Sequence, residues 1–174
     1  MSNYLKIKFQ KILRLFLCIF IVLIATFSIN LAAYPSVDVQ AIQRLNPSGL
    51  FDTSPYGFSQ VVTVLSTGKI VFVSGQFSGD LDGNVLGNTL EEQMHLCFQN
   101  LRTAIDAAGA KPEHIVQIRV LIVDYQEEYT ILLEREIQEL FGDALPASTL
   151  IPVPRLALDD MLFEIEATLF IPEQ

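Results

Sequence analysis

The chain is 174 residues long, with 11 Lys+Arg against 20 Asp+Glu and a formal net charge of −9. That acidity argues against nucleic acid as a partner, because phosphates require a basic face. Two cysteines, Cys18 and Cys97, and two histidines, His95 and His114, form no cluster with metal-ligand spacing, so neither a disulfide framework nor a zinc centre is indicated.

From the N-terminus, Lys6, Lys8, Lys11 and Arg14 precede Leu15 to Ala33, nineteen residues without a charge. This is the pattern of an export signal. Leu31-Ala32-Ala33 offers small residues for cleavage after Ala33, while the length also suits an uncleaved signal anchor over residues 15–33. Either way the remainder crosses the membrane, so an exported, periplasmic or extracellular protein is expected, touching the membrane only through this segment. Residues 34–174 carry seven basic and all twenty acidic residues, enough chain for one domain with its own core.

Residues 34–53 contain Pro35, Pro47 and Gly49 with little periodicity, and read as a linker or surface strap. The domain proper is expected over 54–174. Val61 to Ser66 and Ile70 to Ser74 are β-branched runs separated by Thr67-Gly68-Lys69, a hairpin signal. Gly79 to Asn88 reads as a loop.

A helix follows, with Leu90, Met94, Cys97, Leu101, Ala104, Ile105 and Ala108 on one face. Thr89 and Glu92 form a capping box, and Gly109 with Pro112 supplies the stop. His95 sits beside the apolar stripe, as a boundary histidine. Ile115 to Val123 alternates, with Val116, Ile118, Val120 and Ile122 on one face and Gln117 and Arg119 on the other.

A second helix is predicted from Glu127 to Phe141, ended by Gly142, and two strands close the chain, Ser148 to Val153 and Leu162 to Ile171. The last strand turns Phe163, Ile165, Ala167 and Leu169 one way, and Glu164, Glu166 and Thr168 the other. The order ββαβαββ predicts an α+β fold, a sheet with both helices on one face. Its free, partly polar face invites a symmetric oligomer.

Seven fragments in register carry a resemblance: Pro55-Tyr56 with Ser59-Gln60, Val73-Ser74-Gly75-Gln76, Glu91-Glu92-Gln93, Asn100-Leu101, Ala107-Ala108-Gly109, Pro146-Ala147 and Glu164-Ile165-Glu166-Ala167. Over Ser54 to Leu169 the chain resembles the RidA (YjgF) family of reactive imine and enamine deaminases. The resemblance implies a homotrimer with a chorismate-mutase-like fold, small-molecule sites in the clefts between subunits, and hydrolysis of 2-imino acids to 2-keto acids and ammonia without a cofactor or metal. It implies that Tyr56 walls the pocket, that Ser74 and Gly75 supply hydrogen bonds to substrate, and that Glu164 orients the attacking water.

Two positions depart from the family pattern. Where active members place an arginine on the substrate carboxylate, directly after Pro146-Ala147, this chain has Ser148, and two residues on a usually small side chain is Leu150. A hydroxyl in place of a guanidinium fork loses roughly 1.5–3 kcal/mol, so weak activity on 2-imino acids and an altered substrate choice are expected. A non-enzymatic trimer that binds a small ligand or a protein is the alternative. Arg119 is the candidate replacement cation, with an ion pair to Glu164 or Glu166 as the simpler role.

Overall fold

In the computed structural model the described residues are 41–65 and 67–173, so the export signal or anchor expected over residues 1–33 lies outside them. The strands are β1 (Ile42–Leu45), β2 (Val61–Val64), β3 (Gly68–Gln76), β4 (Ile115–Val123), β5 (Ala147–Val153) and β6 (Phe163–Pro172). The helices are α1 (Leu90–Ala107) and α2 (Tyr129–Phe141), with short 3-10 turns at Ser54–Tyr56 and Pro112–His114. A four-stranded sheet runs β3-β6-β4-β5, antiparallel except for the β4–β5 pair, which α2 connects. Parallel neighbours need such a crossover, and the α+β layering predicted from the element order is the one observed.

Both helices cover one face of that sheet. Met94, Cys97, Phe98, Leu101 and Ile105 from α1 and Leu133, Ile137, Leu140 and Phe141 from α2 meet Ile118, Val120 and Ile122 of β4 and Phe163, Ile165, Ala167 and Leu169 of β6. All are buried, and this apolar layer is the main source of stability. The Cys97 sulfur lies 3.6 Å from the Phe163 carbonyl oxygen, and burial, reinforced by the charge of Glu164, pushes its thiol pKa well up. Cys97 is therefore a core residue rather than a reactive thiol.

Two local expectations are corrected. The hairpin predicted across Thr67-Gly68-Lys69 does not form among the described residues: β2 pairs with β1, from Ile42 opposite Val64 to Leu45 opposite Val61. The intended turn residues are drawn into the β3–β6 ladder instead, where Thr67 accepts a 3.0 Å hydrogen bond from the Glu173 amide and Gly68 pairs with Pro172. Gly68 lies so close to the Ile171 carbonyl that a Cβ there would overlap it. The strap consequently contains a strand, β1, held by Arg44, whose guanidinium donates to the Glu113 carbonyl at 2.8 Å.

The second correction concerns Val116. A bulge sets Ile115 opposite Leu169 but Gln117 opposite Thr168, so the extra residue, Val116, leaves the core face and Ile115 takes its place. Strict alternation cannot foresee this, because one inserted residue reverses the facing of everything before it.

The start of α1 is fixed as the sequence predicts. Thr89 Oγ1 accepts from the Glu92 amide at 3.2 Å, and Glu92 Oε2 accepts from the amides of Asn88 at 2.8 Å and Thr89 at 3.2 Å. Thr89→Ala removes one half of this box and should lower unfolding free energy by about 1 kcal/mol in urea titrations. No change of m-value is expected.

Candidate functional site in two half-sets

The sheet face opposite the helices carries the first group of site residues. Along β3 the register jumps between Val73, opposite Ala167, and Gln76, opposite Ile165, leaving one extra residue on β3 at Ser74-Gly75. This bulge brings the Gly75 backbone directly against the Glu164 side chain, so closely that a Cβ at position 75 would overlap Glu164 Oε1. Glycine leaves the Glu164 carboxylate in this position, and Ser74 beside it is exposed.

Glu164 makes no side-chain hydrogen bond or ion pair among the described residues. Arg119, the nearest cation on this face by register, donates to Glu166 Oε1 instead; the two are strand partners on β4 and β6. Glu164 is thus left half-buried beside a second carboxylate, and its pKa is raised, first by desolvation and then by the charge of Glu166. A carboxylate with a pKa above its ordinary range and no partner of its own is suited to accept and return a proton.

The second group lies on the other side of the sheet. Ser148 pairs with Ile118 and Leu150 with Val120, both core residues facing the helices, so the two side chains share that face. Together with Tyr56 they line a cavity of about 330 Å³ bounded by Phe51, Phe58, Tyr125 and, from α2, Thr130, Leu133, Glu134 and Ile137.

Tyr56 reaches this cavity because its segment is pinned to the start of β5. The Ser59 amide donates to the Pro146 carbonyl at 2.8 Å and Ser59 Oγ donates to the Leu145 carbonyl at 2.8 Å. Buried Thr53 closes the same turn through Oγ1, 2.8 Å from the Phe58 carbonyl oxygen. The rings of Phe51 and Tyr56 stand 5.3 Å apart, tilted by 43°. Asp124, in the left-handed region with φ 51°, ends β4 just before Tyr125. Aspartate tolerates that conformation better than most residues.

Glu164, Ser74, Gly75 and Arg119 therefore sit on the open face, while Tyr56, Ser148 and Leu150 sit on the helix face. A single protomer does not bring the two sets together. Residue spacing does not single out Phe51, Phe58, Tyr125 or Glu134, since they come from segments that meet only after folding. The flanking of Pro55-Tyr56 by two phenylalanines is the one available signal.

Apart from both sets, Glu136 of α2 is buried between the helices. His95 Nδ1 lies 3.2 Å from its Oε2, and Arg135 donates to its Oε1 at 3.5 Å. This pair clamps α1 to α2 on the outer side of the molecule.

The family model described as Endoribonuclease L-PSP matches residues 52–171. The chain belongs to the RidA (YjgF) family. The RidA-family structure of YyfB from Yersinia pestis superposes with a TM-score of 0.71 at 29% identity, covering 76% of this chain and 100% of that one. Among curated relatives, a RutC family protein of Pyrococcus abyssi is 29% identical over 111 residues, 63% of this chain and 83% of its own length. The RutC family protein YjgH of Escherichia coli is 27% identical over 121 residues, 70% of this chain and 90% of its own length.

Within this RidA-family framework the state of Glu164 is measurable. Because its folded pKa is raised, ionisation costs the folded state. The stabilising contribution is complete below the ordinary glutamate pKa near ~4.3 and is lost as pH rises through the folded value. Glu164→Gln should accordingly melt at a higher temperature than wild type at pH 7. The difference should close at pH values below about 4, as followed by circular dichroism.

Proposed function

We propose that the chain is a RidA-like hydrolase that converts an imine, or its enamine tautomer, to a carbonyl compound and ammonia in clefts between the subunits of a homotrimer, with a substrate choice altered by Ser148. The observation that carries this reading is Glu164, a carboxylate without a partner, seated against the bulged glycine of β3. The separation of the half-sets supports association, since only a second copy can present Glu164 and Ser74 to the cavity of Tyr56 and Ser148. Ile70 and Phe72, 61% and 80% exposed on the open face, favour the same association.

In the proposed reaction, a protonated imine and one water give a carbonyl compound and an ammonium ion. Water attacks the imine carbon as its proton passes to Glu164. The C–N bond of the resulting amino alcohol then breaks, with Glu164 returning the proton to nitrogen. The hydroxyl oxygen becomes the carbonyl as its own proton passes to the departing ammonia. The raised pKa of Glu164 suits both directions of its transfer. An RNA-cleaving role, which the matched family's description names, is not proposed for this chain. From residue 34 onward acidic residues outnumber basic ones twenty to seven, and Glu164 and Glu166 would repel a phosphate.

Export of this domain across a membrane by residues 1–33 belongs to the same proposal, supported by the basic flank and the uncharged run that follows it. The second reading, a trimer that binds a small ligand without turning it over, is favoured by one observation: Leu150 fills part of the cavity where a smaller side chain would leave room.

The test is disappearance of 2-iminopropanoate, generated by an amino-acid oxidase, in the presence of the full-length chain. Wild type should be slow, Ser148→Arg faster by one to two orders of magnitude, and Glu164→Ala inactive in either background. Gly75→Ala, by displacing the Glu164 carboxylate, should reduce turnover as Glu164→Ala does while leaving the far-ultraviolet circular dichroism unchanged. If none of these chains speeds hydrolysis of this imine or of a carboxylate-free imine such as phenylmethanimine, the hydrolase reading is wrong and the binding reading stands.

A further inference from the structure

The cavity beside Ser148 has a distinctive charge. Its walls are aromatic, with Phe51, Tyr56, Phe58 and Tyr125, and among its lining residues there is no lysine, arginine or histidine. The only charged side chain that lines it is Glu134 of α2, which makes no ion pair or side-chain hydrogen bond among the described residues. Phe51 and Tyr56 form a tilted pair at the mouth, 66% and 48% exposed, so their faces are open to a ligand. Across the cavity Tyr125 is packed edge-on against Tyr129, ring centroids 6.5 Å apart.

Aromatic faces attract cations through the ring quadrupole, and a carboxylate at the same cavity adds direct Coulomb attraction. An anionic ligand meets the opposite at every wall. It faces the negative ring faces and Glu134, and the guanidinium that a second copy's open face would bring with Glu164, that of Arg119, is engaged with Glu166.

We infer that this aromatic cavity selects an organic cation, namely the protonated imine of an arylalkyl or alkyl amine that carries no carboxylate, with Glu134 as its counter-charge. As a statement of substrate class this rests on the hydrolase reading above; as a statement of binding it does not. A protonated carboxylate-free imine bears the positive charge on the C=N nitrogen, so the group that the aromatic rings hold is the one that reacts. The Ser148 hydroxyl and Thr130 are left to hydrogen-bond to it. The volume, about 330 Å³, suits a single-ring ligand. Such imines are released when an amine is oxidised at its α-carbon, so an amine-oxidising reaction must supply the substrate.

The experiment uses the full-length chain and three ligands of one shape: benzylammonium, benzyl alcohol and benzoate, titrated by calorimetry. Benzylammonium should bind at least tenfold more tightly than benzoate, with benzyl alcohol between them. Glu134→Gln should weaken benzylammonium about tenfold and leave benzyl alcohol unchanged. Equal or tighter binding of benzoate, no binding of benzylammonium, or indifference of benzylammonium to Glu134→Gln would overturn the inference and leave Glu134 a solvated helix residue.

Turnover separates the two proposals. Phenylmethanimine, supplied by a flavin amine oxidase, should be hydrolysed faster than 2-iminopropanoate. Benzylammonium binding that depends on Glu134 without any imine turnover would sink the hydrolase reading and keep the cation site. Faster turnover of 2-iminopropanoate would keep the hydrolase and sink the cation site.

Discussion

A carboxylate held partly out of water against a glycine backbone, with the neighbouring guanidinium committed to a different acid, is the arrangement on which the proposed chemistry depends. The bulge at Ser74-Gly75 creates it: the extra residue on β3 lets the strand pass close over Glu164, and a Cβ there would displace the carboxylate. Arg119 pairs with Glu166 and not with Glu164, so the desolvation of Glu164 is not offset, and the charge of Glu166 raises its proton affinity further. Had Arg119 turned to Glu164 instead, that residue would be an ordinary structural ion pair. Two acids two residues apart on one strand thus differ, Glu166 paired to Arg119 and Glu164 without a side-chain partner among the described residues.

The second constraint is the sheet itself. A four-stranded sheet covered by helices on one side alone must do something with its other side, which here carries Ile70 and Phe72 next to Glu164, Glu166 and Arg119. Period-two alternation sends Glu164 to that side, while register places Ser148 and Leu150 on the side of the helices. The two half-sets are therefore separated by the thickness of the sheet within one chain. In the proposed trimer an interface between copies would join them, and the same contact would cover the exposed aromatic and aliphatic side chains.

Exchange of a single residue redefines what the cleft can hold. With Ser148 where a guanidinium fork would stand, the cavity has no positive charge among its lining residues, and Glu134 makes it acidic. The scaffold is that of the RidA family, whereas the wall beside Ser148 carries one carboxylate and no cation among its lining residues. Specificity in such a site is set by which charge is disfavoured as much as by which contacts are made.

The amphipathic stripe of α1, its capping box, the alternation of β6 and the α+β order are all properties of short stretches of chain, which is why the sequence alone determined them. The resemblance also marked Glu164 and Ser148 as candidate site residues, because each falls at a fixed offset within a contiguous motif. Three features were decided only by tertiary structure. The pairing of β2 with β1 rather than β3 accompanies the engagement of Thr67 by the Glu173 amide and of Gly68 by Pro172, residues more than a hundred positions away. The exchange of Val116 for Ile115 in the core depends on a one-residue bulge against β6. The aromatic cavity unites Phe51, Tyr125 and Glu134 from segments with no common periodicity, so its composition, and hence its charge, exists only once the chain has folded.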